Sequence, residues 1–233
     1  MQQHLREVFV LKLRIKFAKN GVMQYIGHLD LMRYFQKAVT RAKIPVAYSA
    51  GFNPHQIMSF AAPLGLGVTS EGEYFDLDTT EDVDTVQLVK DLDACMVDGM
   101  KVIDATVLAD DAKPSMSLVA ACDYIITPKD SSLDLSAFTD WNKEDEYLMV
   151  KKTKKSENTI DIKPLIYKLE VVDGCVKTQL ASGSVANLKP VEMMNVLADK
   201  FLGLSGDSFY YHRTEIYAKN KEGKLIALSE YNG

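Results

Sequence analysis

Two histidines, an aspartate and a row of cations crowd the stretch from Tyr25 to His55. His28, Asp30 and Arg33 come first; Arg33, Lys37 and Arg41 recur every four residues; Tyr48, Ser49, Asn53 and His55 close the group. A histidine passes protons near neutral pH, an aspartate orients it, and an arginine steadies an anion. His28, Asp30, Arg33, Tyr48, Ser49, Asn53 and His55 are therefore the candidate ligand-binding set, and His28, Asp30 and His55 the alternative catalytic one. Cations four apart share one helix face, a geometry suited to phosphates. His28 and Asp30 fall in a first helical turn, where free N–H groups favour an anion. Gly51 and Asn53 suit a turn with positive φ, and Pro54 stiffens it. Each part also has an ordinary reading. A cationic stripe is usually a solvated face, a first-turn aspartate matches the helix dipole, and a lone histidine is more often structural than catalytic.

The elements that must position these residues follow from hydrophobic period. Val8 to Phe17 alternates, with Phe9, Leu11, Leu13, Ile15 and Phe17 on one face and Lys12, Arg14 and Lys16 on the other, the mark of a half-buried strand. Gly27 to Lys43 repeats at helical spacing through Leu29, Met32, Phe35, Val39 and Ala42. Ile44 to Tyr48 reads as a strand interrupted by Pro45, and the run Ile57 to Ala62 is set aside as loop. Glu73 to Leu77 is a strand, Thr80-Glu81-Asp82 a helix start, and Val102 to Leu108 a strand. The order strand, helix, strand, strand, helix, strand predicts an α+β fold with a ferredoxin-like split βαβ N-terminal domain over residues 1–112. Residues 113–233 read as a second, smaller α+β domain: strands at Cys122 to Thr127, Tyr147 to Thr153, Lys168 to Val172 and Cys175 to Leu180, helices at Leu133 to Trp141 and from Pro190 to Gly203, and a last hairpin from Phe209 to Leu228. Asp173-Gly174 is a two-residue hairpin signal. A degenerate copy of the first domain is the simplest reading.

The chain has 233 residues, a net charge of −5 and three cysteines. No apolar run reaches the roughly 20 residues of a membrane span, and the first residues carry no apolar signal core. Cys95, Cys122 and Cys175 form no C-x-x-C pair, so a thiolate metal site and a disulfide framework are unsupported, no cofactor is indicated, and a reduced, cytoplasmic location is expected. Charge is blocked. Residues 1–60 hold nine Lys/Arg against two Asp/Glu, residues 61–149 five against twenty, and residues 150–233 thirteen against ten. The acidic overall balance argues against nucleic-acid binding by the whole surface but leaves room for a local basic face.

Four long words carry a family resemblance. They are Tyr25-Ile26-Gly27-His28-Leu29-Asp30-Leu31-Met32-Arg33, Arg41-Ala42-Lys43-Ile44-Pro45, Tyr48-Ser49-Ala50-Gly51-Phe52-Asn53-Pro54-His55, and Phe60-Ala61-Ala62-Pro63-Leu64-Gly65-Leu66-Gly67. This stretch resembles that of the bacterial radical SAM-linked proteins, a family of uncharacterised function. Gly183 to Glu192 resembles a further family segment, with Lys189 where an arginine is usual. The resemblance implies a radical SAM protein, fused or encoded beside, as partner. The chain does not look like that enzyme itself, which needs three closely spaced cysteines.

Three functions compete. The first is a non-catalytic partner of a radical SAM enzyme that binds RNA or presents it for modification. Lys12, Arg14 and Lys16 on the sheet and Arg33, Lys37 and Arg41 on the helix would contact phosphates, with Tyr25, Tyr34, Tyr48 and Phe52 stacking on bases. The second is an enzyme in its own right, which requires His28 and His55 to share one pocket. The third is a protein-interaction scaffold that docks a basic partner on the acidic block, which includes Glu71, Glu73, Asp76, Asp78, Glu81, Asp82 and Asp84.

Overall fold

A computed structural model describes residues 11–152 and 157–231. Residues 8–10 of the first expected strand and Thr153 at the end of another lie outside them. The first half runs β1 (Leu11–Lys19), α1 (His28–Arg41), β2 (Met58–Phe60), β3 (Val68–Thr79), α2 (Thr85–Asp93) and β4 (Met100–Val107). Their sheet order is β4-β1-β3-β2, with every neighbouring pair antiparallel. That is the split βαβ order of a ferredoxin-like fold.

The second half runs α3 (Ser115–Leu118), β5 (Val119–Pro128), a 3₁₀ helix at Ser136–Lys143, β6 (Leu148–Lys152), β7 (Glu157–Asp161), β8 (Ile166–Val172), β9 (Cys175–Ala181), α4 (Pro190–Leu202), β10 (Phe209–Lys219) and β11 (Leu225–Ala227). Its order, β10-β5-β9-β8, repeats that of the first half. The first helix of the repeat is reduced to the 3₁₀ turn, and β6 and β7 form a separate two-stranded hairpin. Asp173 and Gly174 both have positive φ, as the hairpin between β8 and β9 requires.

The two halves share one nine-stranded sheet, because β10 runs parallel to β3 and pairs Tyr211–Arg213 with Val68–Ser70. Gly72 lies at this junction. A Cβ there would stand 2.4 Å from the Thr214 carbonyl oxygen, so only glycine admits the close approach.

Two expected elements are corrected. The second strand is Met58–Phe60, in the run set aside as loop, whereas Ile44 to Tyr48 supplies only isolated bridges from Val46 to Thr79 and from Tyr48 to Gln56. Pro45 has no N–H to continue a ladder and contributes only its carbonyl, which accepts from Thr80 N at 2.8 Å. Phe60 instead buries its ring among Phe17, Phe35 and Phe75, at centroid distances of 6.0, 5.8 and 5.2 Å. The second helix begins later than expected, at Thr85, where the Asp84 carboxylate accepts from the backbone N–H of Val86 and Gln87.

The core has two clusters. One joins α1 and α2 to β1, β3 and β4 through Leu13, Ile15, Phe17, Phe35, Phe75 and Leu92. The other joins α4 and the 3₁₀ turn to β5, β8, β9 and β10 through Ile126, Phe138, Leu180, Met194, Leu197 and Ile216. No helix among the described residues is long and apolar enough to cross a membrane.

Candidate functional site: a cationic groove along α1

Helix α1 turns Leu31, Phe35, Ala38 and Val39 into the core. Helical geometry then leaves Arg33, Lys37 and Arg41 outward, and all three are exposed. The segment from Tyr48 to Gln56 folds back beside them. Its ends are tied by the Tyr48–Gln56 bridge. Ser49 N donates to the His55 carbonyl at 2.8 Å, His55 N donates to Ser49 Oγ at 3.1 Å, and Ser49 Oγ pairs with His55 Nδ1 at 2.8 Å. Gln56, 7% exposed, clamps the segment to the helix: its Nε2 donates to the Gln36 carbonyl at 3.2 Å and to Thr40 Oγ1 at 3.0 Å. Gly51 has the positive φ expected of this turn, but Asn53 does not and is simply exposed.

The result is an open groove of about 620 Å³ that brings Arg33, Lys37 and Arg41 together with Tyr48 and His55. Its charge is available. Arg33 meets Asp30 at 3.5 Å, but both side chains are mostly exposed, and such a pair is worth little against a ligand. Arg41 donates to the Cys95 carbonyl at 3.1 Å, and Lys37 has no ion-pair partner among the described residues. The Tyr48 ring is half exposed and the Phe52 ring wholly so. Cations beside open aromatic faces suit a phosphate chain with unpaired bases.

Other expected site residues lie elsewhere. His28 is half-buried, with its ring edge-on to Phe60 at 5.7 Å, and it does not line the groove. Tyr34 does not line the groove either; its hydroxyl accepts from Val97 N at 2.8 Å. The open basic face expected of β1 is corrected most fully. Arg14 is 2% exposed, pairs with Asp76 at 2.9 Å and donates to the carbonyls of Leu228 and Tyr231. Lys16 pairs with Glu215 at 2.7 Å and lies over the Tyr74 ring. Lys12 donates to the Asp110 carbonyl. Glu215 on β10 and the carbonyls of Leu228 and Tyr231 from the second half meet Lys16 and Arg14 on this face, whereas the contact of Lys12 with Asp110 lies at the surface within the first half. Part of the acidic block is likewise internal, with Glu73 and Asp76 in ion pairs, while Asp84 caps α2 at the surface. Among the described residues, no three His, Cys, Asp or Glu side chains stand together to hold a metal.

Sequence reasoning missed Gln36, Thr40 and Gln56, which set the groove's geometry. It also missed a buried charge cluster at the β3–β10 junction. Arg213 donates to both carboxylate oxygens of Glu73 and, at 3.1 Å, to the Ala62 carbonyl. Burial opposes its charge, yet Glu73 holds the guanidinium well above its ordinary pKa. Lys19, also buried, donates to the carbonyls of Gln24 and Ile26, and burial lowers its amine below the ordinary lysine value.

Residues 12–190 match a family described as "Uncharacterized protein conserved in bacteria (DUF2344)". That description names no radical SAM protein. No curated protein matches the chain. One solved structure, "Crystal Structure of an Unknown Protein from Galdieria sulphuraria", is 9% identical, with 75% of this chain and 84% of that one covered and a TM-score of 0.28. The family match reaches from β1 into the start of α4, and the chain therefore belongs to DUF2344, the uncharacterised protein family conserved in bacteria.

Proposed function

We propose that this protein is a non-catalytic accessory partner of a radical SAM enzyme, and that it binds RNA, or presents it for modification, along the α1 groove. Residues 1–112 and 113–233 serve in this reading as two units of one platform. The observation that carries the proposal is the groove itself: three solvent-facing cations on one helix beside the half-exposed Tyr48. The long words from Tyr25 to Gly67 support the partnership. Acid–base catalysis by His28 with His55 lacks support from this arrangement, because only His55 lines the groove.

The test is a fluorescence titration with bulk transfer RNA and ribosomal RNA fragments across a salt series. Binding is expected to saturate and to weaken with salt. In an Arg33→Ser, Lys37→Ser, Arg41→Ser variant, the slope of log affinity against log salt should fall by about 0.7 for each single-strand phosphate no longer neutralised. Tyr48→Ala should weaken binding to unpaired RNA with the slope unchanged, since stacking releases no counterions. Saturable binding that is indifferent to the triple substitution would remove the groove from the reading, and no binding at low salt would remove RNA. Co-purification with a radical SAM protein encoded beside this one tests the partnership.

A further inference from the structure

Two of the segments singled out by resemblance have no part in the groove. Phe60 to Gly67 and Gly183 to Glu192 are about 120 residues apart in the chain, yet they face each other across a second cavity of about 430 Å³. Residues 63–68 form one wall and residues 187–191 another. The third wall comes from the junction of the two halves, where Tyr124, Phe209, Tyr211 and Arg213 line the interior. This volume falls in the range of small-molecule sites, and the cavity is more enclosed than the α1 groove.

The walls are rigid for identifiable reasons. Arg213 ties β10 to Glu73 on β3 and to the Ala62 carbonyl beside the first wall. Ser70 Oγ donates to the Arg213 carbonyl at 3.0 Å, and the Tyr211 hydroxyl donates to the Gly206 carbonyl at 2.6 Å. The second wall is held by Leu188 N, which donates to the Ala181 carbonyl at 2.9 Å, and by Lys189 N, which donates to the Glu192 carboxylate at 3.1 Å. A cavity built this way is formed before any ligand arrives.

Its chemistry is mixed. Leu64, Val68, Leu188 and Val191, with the two tyrosines, make the interior largely apolar and aromatic. The charged lining residues are Lys129, Lys189, Arg213 and Asp207. Arg213 is neutralised by Glu73, which leaves Lys129 and Lys189, both exposed, against the single carboxylate of Asp207. Lys129, whose ammonium lies over the Tyr210 ring, and Lys189 are flexible lining side chains of an aromatic pocket, and their ammonium groups suit a divalent anion carried on an apolar body. We propose that this cavity is a binding site for a small phosphate monoester with an aromatic or apolar body, separate from the RNA groove. The ligand's body lies between the tyrosines and the leucine walls, and its phosphate meets Lys129 and Lys189.

The experiment titrates phenyl phosphate into the full chain and follows backbone amides by ¹H–¹⁵N NMR, with inorganic phosphate and phenol as separate probes. Saturable shifts are expected at Leu66, Val68, Leu188 and Val191, with phenyl phosphate tighter than either fragment. A Lys129→Gln, Lys189→Gln variant should lose about tenfold in phenyl phosphate affinity or more, with the rest of the spectrum unchanged because both side chains are exposed. Its RNA titration should match wild type. Shifts confined to other surfaces, unchanged affinity in the variant, or no saturation up to about 10 mM would overturn the proposal. Loss of RNA affinity in the variant would overturn it as well, by making the cavity part of the RNA path.

Discussion

Arg213 and Glu73 show how much one buried pair can decide. The guanidinium is 2% exposed, and Glu73 is nearly as buried, so each is tolerable only because the other is present. Arg213→Met should cost about 3–5 kcal/mol, the penalty for an uncompensated buried carboxylate. Adding Glu73→Leu should recover much of that, and a urea-unfolding double-mutant cycle reads the coupling. Equal losses from the single and double variants would show that the pair does not interact as drawn. Arg213 did not stand out in the chain, being one charge among ordinary strand residues, and Glu73 stood out only as one acid of the acidic block, not as the partner of Arg213. The groove residues were more legible: Arg33, Lys37 and Arg41 share a face by helical period alone, whatever they later meet. Gln56 gave no signal, since its partners Gln36 and Thr40 lie 20 and 16 positions away.

At the scale of elements, the strands and helices that alternate cleanly were readable, and those that depend on a neighbour were not. The helix over α1 and the hairpin at Asp173-Gly174 follow from local period and turn chemistry. The strand at Met58–Phe60 does not. Its three residues are extended because β3 offers Phe75 to Leu77 as a ladder and the phenylalanine cluster accepts Phe60. Gly72 tests the junction between halves. Gly72→Ala should destabilise the protein by about 1–3 kcal/mol, because its methyl would meet backbone rather than a movable side chain. Gly65→Ala is the control: its Cβ would meet Val68 at an ordinary 3.5 Å, and near-neutral stability is expected in denaturant unfolding. Equal behaviour of the two variants would mean that the β3–β10 approach is not tight.

The whole molecule should reveal its buried tyrosines in alkaline solution. Burial raises the hydroxyl pKa of Tyr74, Tyr124, Tyr211 and Tyr217 well above the ordinary value, and pushes that of Tyr147 up to about 12. In the unfolded chain these groups ionise near pH 10. Above that pH the native state holds more protons than the unfolded state, so the free energy of unfolding falls as pH rises. Stability measured by urea unfolding from about pH 8 to pH 11 should be lost increasingly above pH 10, and less steeply in Tyr124→Phe. A flat profile would show that the hydroxyls are reached by water in the folded protein.

The α+β class, the alternation of strands and helices, and the clustering of cations and aromatics between Tyr25 and His55 are legible in the order of residues alone. These are local properties, set by the period of apolar residues and by turn chemistry within a few positions. Which cations face solvent depends instead on long-range packing. Lys12, Arg14 and Lys16 lie on the polar face of an amphipathic strand as clearly as Arg33, Lys37 and Arg41 lie on that of a helix. Yet Arg14 meets Asp76 from 62 positions away, and Lys16 meets Glu215 from 199. A polar face is exposed only if no other part of the chain covers it. Here the second half of the chain continues the sheet and sets Glu215, Leu228 and Tyr231 against β1, while Arg33, Lys37 and Arg41 stay exposed on α1 beside the segment from Tyr48 to Gln56. The same long-range packing brought residues 63–68 against residues 187–191 and made a cavity that neither segment forms alone.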